Sequence, residues 1–188
     1  LRPDSSLGEV VLDSSVSTYY LKELTSSKIL DIEGDSSTKI EMYTKKLLNQ
    51  AWPEQADSIA IVKVKNDELI YSLNNLTFVK LIFPIKVGLS WNGNKFNNLG
   101  SEEYSIISRG EILIDSLNFM DGIVVEQSNT DNFVEINMRT EEYAPEIGLA
   151  RKNKRILQFR QENGEVLTGE IERGVILKME LINYGQIN

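Results

Sequence analysis

The stretch AIVKVKNDELIYSLNNLTFVKLIF, residues 60–83, decides the fold class of this chain. Its first part alternates small or branched apolar residues with Lys63 and Lys65, the period-two pattern of a strand whose two faces differ. Asn66-Asp67 then forms a turn, and the last part is rich in β-branched and aromatic residues. The stretch therefore predicts three consecutive strands: residues 60–65, 68–73 and 76–83.

The same pattern extends to both ends of the chain. Residues 29–32 and 40–44 flank a Gly-Asp-Ser-Ser turn and predict a hairpin, and turns recur about every ten residues in the second half. Asn92-Gly93 suits a type I′ turn, because both central residues of that turn need a positive φ. Residues 45–52 are the best helix candidate, since apolar residues share a helical face there before Pro53.

We therefore predict a mainly β fold. A long twisted sheet leaves a hydrophobic face and two edges exposed, which favours curling. The expected architecture is one strongly curved antiparallel sheet, a barrel or half-barrel, with about ten short strands and at most one or two short helices. Residues 1–16 are predicted to be an irregular lead-in that follows a removed signal or lipid-anchor region, and residues 17–188 a single β domain.

The composition narrows the range of functions. The chain has 188 residues and a net charge of -8, so its field would repel nucleic acids, and we expect no nucleic-acid partner. It contains no Cys and no His, which removes disulfides, thiolate chemistry, His-assisted nucleophiles and the usual zinc or haem ligands. No cofactor is predicted, and the expected role is not enzymatic.

Two acidic doublets, Glu102-Glu103 and Glu141-Glu142, are candidates for the paired carboxylates of a glycoside hydrolase. Adjacent acids on a strand point to opposite faces, so neither doublet is itself such a pair. Asp31, Glu33 and Asp35 beside Gly34 form a weak candidate for a Ca²⁺ loop. The alternative is a strand whose outward acids run into a glycine turn, and we predict no metal site.

The segment from Trp91 to Tyr104 is the best candidate for ligand binding. Aromatic side chains could line the mouth of a site, and asparagine side chains could supply hydrogen bonds at its rim. In the alternative interpretation, Trp91 fills the end of the β core and the asparagines form turns through side-chain to backbone bonds. The candidate residues are Trp91, Asn92, Asn94, Phe96 and Tyr104.

Three segments resemble a group of uncharacterised envelope lipoproteins of Bacteroidetes. These are FPIKVGLSWNGN at residues 83–94, EYAPEIGLARK at residues 142–152, and KMELINYG at residues 178–185. At Glu146 this chain departs from the group, which tends to have glycine there. The resemblance implies an exported domain in the periplasm or on the outer surface, tethered to a membrane by a lipid anchor that precedes residue 1, and it implies no chemistry.

Together these observations predict a non-enzymatic, monomeric envelope domain that binds an apolar small ligand or lipid on the concave face of its sheet. The alternative is an assembly module that contacts another envelope protein through a rim loop such as residues 91–99. A hydrolase built on an acid pair is the third hypothesis.

Overall fold

The computed structural model describes residues 14–30 and 34–186 of the chain. This part of the chain contains eleven β-strands and no helix. The strands are β1 (Tyr20–Leu30), β2 (Ser36–Lys45), β3 (Ser58–Lys65), β4 (Glu68–Leu73), β5 (Leu76–Ile82), β6 (Ser90–Asn92), β7 (Glu103–Ile114), β8 (Leu117–Asp131), β9 (Glu135–Ala144), β10 (Gly148–Glu162) and β11 (Glu165–Glu180).

The strands form two antiparallel sheets, ordered β1-β2-β3-β4-β5 and β11-β10-β9-β8-β7-β6. The predicted mainly β, antiparallel class is confirmed. The predicted single, strongly curved sheet is wrong, because neither sheet closes into a barrel or curls strongly. The chain leaves β5 through Phe83-Pro84, and Pro84 has no N–H to continue a ladder. Division into two facing sheets buries apolar faces without the curl that a closed sheet requires.

The stretch that decided the fold class forms the strands it predicts. β3, β4 and β5 are consecutive antiparallel neighbours, and the turn residues Asn66 and Asp67 have φ values of 52° and 61°. Asn163 and Gly164 also have positive φ between β10 and β11. At Glu146 φ is 64°, the left-handed region that glycine adopts most readily.

Two local predictions are revised. The hairpin predicted from residues 29–32 and 40–44 belongs to a longer strand pair: β1 pairs with β2 and carries an irregularity between Thr25 and Lys28. Asp31 and Ile32 lie outside the described residues. The type I′ turn at Asn92-Gly93 does not form, because neither residue has a positive φ. Gly93 is needed for another reason: a Cβ there would collide with the ring of Tyr104.

The predicted helix at residues 45–52 is absent. β2 runs to Lys45, and the following residues form bends and a turn in which Leu47 and Leu48 are exposed. The buried Lys45 ammonium donates hydrogen bonds to the carbonyls of Leu48 and Gln50 at 2.7 and 2.8 Å. These contacts hold the segment in an open turn, and its apolar side chains therefore share no buried face.

The two sheets share a hydrophobic core, which we call the closed end. Leu69 and Leu81, paired across β4 and β5, pack against the six-stranded sheet. We call the face that each sheet directs at the other its inner face. The buried residues of the closed end are Leu81, Tyr104, Ile106, Ile123, Val125 and Tyr143, with Leu69, Ile85, Trp91 and Leu149 packed against them.

Two smaller clusters belong to the six-stranded sheet and its flanking segments. One contains Ile112, Ile114, Phe119, Ala144 and Ala150, and the other contains Ile136, Leu157 and Phe159. Within residues 14–30 and 34–186, the structure contains no helix with the length and apolar character to cross a membrane.

Candidate functional site: the space between the sheets

A charged group lies beside the closed end. Glu141 of β9 is only 1% exposed, and its Oε1 lies 2.9 Å from the Nζ of Lys80 and 2.9 Å from the Nζ of Lys152. The hydroxyl of Tyr143 donates a 2.6 Å hydrogen bond to Oε2. A buried carboxylate is tolerated when it is paired and hydrogen-bonded in this way.

Lys80 reaches Glu141 because of a β-bulge. Leu69 pairs with Leu81 and Ile70 pairs with Val79, so Lys80 is the extra residue of β5. A bulge re-aims a side chain, and here it turns an ammonium toward the inner face beside Leu81. The Lys80 Nζ also lies 5.9 Å from the ring centroid of Tyr71 and 5.5 Å from that of Phe78.

The pKa shifts follow from this geometry. Burial opposes the charged form of Glu141, but Lys80, Lys152 and the Tyr143 hydroxyl together outweigh it and lower its pKa to about 2. Burial lowers the pKa of Lys80, while Glu141 opposes that shift. Burial and the neighbouring carboxylate raise the pKa of Tyr143 well above its usual value. Glu141 is therefore ionised at neutral pH and Tyr143 is a neutral donor.

The inner face of the five-stranded sheet extends from this cluster toward β1. Tyr71 pairs with Val62, so both residues are on the inner face. Burial raises the pKa of Tyr71 to about 12, with contributions from Glu141 and from Glu23 of β1. Burial also raises the pKa of Glu23, and Lys152 of β10 opposes that shift. The charges of Glu23 and Lys152, which belong to different sheets, therefore interact.

Beyond Glu23 and Lys152 the inner faces are not fully covered, and we call this region the open end. Leu21 alternates with Glu23 along β1 and is 40% exposed. On β11, Val175 and Leu177 are 48% and 42% exposed, and Leu177 pairs with Lys154 of β10. Half-buried inner-face residues continue the apolar surface between these strands: Ile40, Val62, Leu73, Ile156 and Met179.

Two predicted site residues lie in the closed end. The indole Nε1 of Trp91 donates a 2.8 Å hydrogen bond to the carbonyl of Val79, and its ring meets that of Tyr104 edge to face at 6.2 Å. Tyr104 is buried. Both rings therefore join the edge of β5 to the six-stranded sheet.

Of the other three predicted residues, Asn92 ends β6, and Asn94 and Phe96 lie in the loop that follows it. The Asn92 Oδ1 accepts hydrogen bonds from the backbone N–H groups of Asn94 and Glu102 at 3.0 and 3.1 Å. Asn94 is buried, and its Oδ1 accepts a 3.3 Å bond from Asn97. Phe96 is half exposed. The structure thus keeps these three residues together but separates Phe96 from Trp91 and Tyr104, which are in the core.

The weak metal candidate is only partly within the described residues. Asp31 and Glu33 lie outside them, whereas the Asp35 carboxylate lies 2.6 Å from the Nζ of Lys65 and 3.5 Å from that of Lys63. No group of three or more acidic residues in residues 14–30 and 34–186 could hold a metal ion.

The acidic doublets separate as the strand geometry predicts. Glu141 is directed inward to Lys80, while Glu142 pairs with Arg151 at 2.9 Å. Glu102 forms an ion pair with Arg139. Each of these carboxylates therefore has a cationic partner.

A shallow depression of about 390 Å³ lies on the outer face of the five-stranded sheet. Its lining residues are Lys63, Lys65, Asn66, Glu68, Ile70, Ser72, Thr77 and Phe96. Three of its charged groups are in ion pairs, Lys63 and Lys65 with Asp35 and Glu68 with Lys95. The charged side chains that line it are therefore already engaged in ion pairs.

Sequence reasoning missed the cluster of Lys80, Glu141, Tyr143 and Lys152. One signal for it exists: Lys80 interrupts the apolar run of β5, and a cation inside a buried strand requires an anionic partner. The identity of that partner depends on how the two sheets meet, which no spacing in the chain encodes.

The chain was compared with known proteins in three ways. No protein-family model matches it, and neither the curated proteins nor the solved structures contain a significant match.

Proposed function

We propose that this domain binds a small ligand with an apolar body in the space between its two sheets, at the open end. The observation that carries the proposal is the contrast between the two ends of the inner faces. At the closed end side chains from both sheets fill the space, whereas at the open end apolar side chains of β1 and β11 remain about half exposed. Exposed apolar surface that faces a second layer is a typical feature of a binding site.

Binding would be driven by removal of apolar surface from water, at about 25 cal/mol per Å² before ordering costs. No bond chemistry is required, and the proposed role is not enzymatic. The ionised Glu141 cluster would fix the depth to which an apolar ligand enters, because a hydrocarbon chain gains nothing from contact with desolvated charges.

Two neighbours on β11 provide the test. Leu177 is on the inner face and Ile176 points to the other face of the same strand, and both are exposed. An uncharged fluorescent probe, N-phenyl-1-naphthylamine, is titrated into the unaltered chain, Leu177→Asn and Ile176→Asn. We expect Leu177→Asn to weaken binding about tenfold, the loss of one partly buried aliphatic contact, and Ile176→Asn to change it less than about twofold. Failure of the unaltered chain to bind the probe, or equal effects of the two variants, would contradict the proposal.

An assembly role is the second candidate, favoured by exposed apolar residues outside the open end. Phe96 and Leu99 are exposed in the loop after β6, Phe133 is exposed between β8 and β9, and Met120 is exposed within β8. A partner that docks there should lose affinity on Phe96→Ser and be unaffected by Leu177→Asn. A loss of affinity on Leu177→Asn with no effect of Phe96→Ser would instead support binding at the open end.

The proposed address is the bacterial envelope, with the domain exported and held to a membrane by an upstream lipid anchor. The resemblance of residues 83–94, 142–152 and 178–185 to envelope lipoproteins supports this address. Fractionation of the source cells tests it: recovery in the membrane fraction, with release by a lipase or by proteolysis near residue 1, is expected. Recovery only in the cytosolic fraction would contradict it.

A further inference from the structure

We propose that the ligand of the open end is an anionic amphiphile, whose carboxylate head lies against Lys152 and Lys154 and whose alkyl chain lies along the inner face of β11. This inference rests on the proposed function and adds the chemical class of the ligand.

The first observation is the distribution of charge. The chain carries a net charge of -8, yet cations line the inner face of the six-stranded sheet. Glu141 of β9 pairs with Lys152 in the ladder, and Arg139 pairs with Lys154. Residues paired across a ladder share a face, so Lys152, Lys154 and Arg139 lie on the inner face with Glu141. Arg139 is already ion-paired with Glu102, so the head-group site is assigned to the two lysines. An acidic chain that places cations on an internal face creates a local attraction for anions.

The second observation is the stoichiometry around Glu141. The ammonium groups of Lys80 and Lys152 both lie 2.9 Å from the same carboxylate oxygen. One carboxylate neutralises one of these two positive charges. The Lys152 side chain is 30% exposed and the Lys80 side chain 14%, so Lys152 is the cation that a second anion entering from the open end would meet.

Glu23 of β1 is the group that competes with such an anion, because its charge interacts with that of Lys152. Glu23 is an exposed residue, so its carboxylate can be hydrated when an anionic ligand takes its place beside Lys152. Removing the charge of Glu23 should therefore strengthen the binding of an anion, while removing the charge of Lys152 should weaken it.

The third observation places the alkyl chain. Lys152 pairs with Met179 and Lys154 pairs with Leu177, and the next inner-face residue along β11 is Val175. An apolar strip thus begins beside the two ammonium groups and continues along one strand. A head group held by the lysines would direct a single alkyl chain onto this strip.

Three single-chain probes with similar alkyl chains and different head groups separate the contribution of the head group from that of the chain. They are decanoate, 1-decanol and decyltrimethylammonium. Each is titrated into the unaltered chain below its aggregation concentration, and binding is measured by calorimetry. We expect decanoate to bind about tenfold more tightly than 1-decanol, the size of one charge-assisted hydrogen bond, and the cationic probe to bind most weakly. Equal affinity for the three probes would overturn this inference and leave the proposed function standing. Binding of none of them would overturn both.

Two further variants should change decanoate affinity in opposite directions. Lys152→Met should reduce the preference for decanoate over 1-decanol to less than about threefold, and Glu23→Gln should raise decanoate affinity about threefold or more. Lys178→Met and Glu54→Gln are the matched controls, since Lys178 pairs with Asn153 off the inner face and Glu54 is in an exposed loop. Lys154→Met serves if Lys152→Met fails to fold. If each control changes decanoate affinity as much as its partner variant, the effect is long-range charge alone and the assigned head-group site is wrong.

Discussion

The closed end and the open end are formed by the same two sheets but differ in how completely their apolar side chains are buried. At the closed end β4 and β5 meet β7, β8 and β9, and Leu81, Tyr104 and Val125 are excluded from water. At the open end Leu21 of β1 and Val175 and Leu177 of β11 remain 40–48% exposed. If the proposed function holds, stability and binding are separated in space, with the ion cluster of Glu141 at the boundary.

The largest expected effect comes from the closed end. Trp91→Ala should lower the free energy of unfolding by about 3–5 kcal/mol, because it removes a packed ring and the hydrogen bond to the carbonyl of Val79. Phe133→Ala, at a 78% exposed aromatic residue, is the control and should change it by less than about 0.5 kcal/mol. Urea unfolding measures both. A small change in the free energy of unfolding on Trp91→Ala, combined with weaker ligand binding, would assign Trp91 to a binding site. The closed end would then not be the purely structural part of the molecule.

The Glu141 carboxylate, between the two ends, should make the free energy of unfolding depend on pH in the acidic range. The folded-state pKa of Glu141 is lowered from 4.5 to about 2, so its contribution is present at neutral pH and is lost as the pH falls from about 4.5 through about 2. The loss should be on the order of 3 kcal/mol. Unfolding is followed by denaturant titration between pH 6 and pH 2.

The matched variant for this prediction is Glu141→Gln. It should flatten the acid dependence relative to the unaltered chain, while Glu103→Gln, at an exposed residue of β7, should leave that dependence unchanged. Identical acid profiles for the unaltered chain and Glu141→Gln would show that other carboxyl groups cause the acid sensitivity.

An intermediate effect is expected where β6 leaves the closed end. Gly93→Ala places a Cβ against the Tyr104 ring and should destabilise the chain by about 1–3 kcal/mol through overpacking. Gly110→Ala is the control, because a Cβ there meets nothing within 4 Å and the residue has no positive φ. Thermal unfolding compares the two. Equal stabilities would mean that the Tyr104 ring can move aside and that the closed end is less tightly packed than the structure indicates.

The smallest effect on stability is expected at the open end. Leu177→Ser should change the free energy of unfolding by less than about 0.5 kcal/mol, since its side chain is 42% exposed in the folded chain. The same variant should weaken the binding of an apolar probe. A loss of more than about 2 kcal/mol would show that Leu177 belongs to the hydrophobic core, and the distinction between the two ends would fail.

Strand positions were predictable from sequence because their cause is local. The alternation in β3 and the Asn66-Asp67 turn are fixed by neighbouring residues, and the structure confirms both. The helix prediction at residues 45–52 failed for the converse reason. A lysine from the end of β2 binds backbone carbonyls of this segment, and no short-range pattern reports such a contact.

The candidate ligand-binding segment from Trp91 to Tyr104 also depends on contacts that short-range patterns do not report. Its aromatic and asparagine residues are conspicuous in the sequence, but Trp91 and Tyr104 pack in the core while the Asn92 side chain accepts bonds from backbone N–H groups. The ion cluster was not predicted, because its members come from β5, β9 and β10 and meet only after the sheets pack.

The sequence by itself determined the strand class, the turn at Asn66-Asp67 and the exclusion of Cys- and His-based chemistry, since each depends on residue type or on spacings of a few residues. The tertiary structure decided that the strands divide into two sheets, that Lys80 is turned inward by a bulge, and that Glu141 lies between two ammonium groups. The physical reason is that these features depend on contacts between strands distant in the chain, and their energy is set by which faces exclude water together.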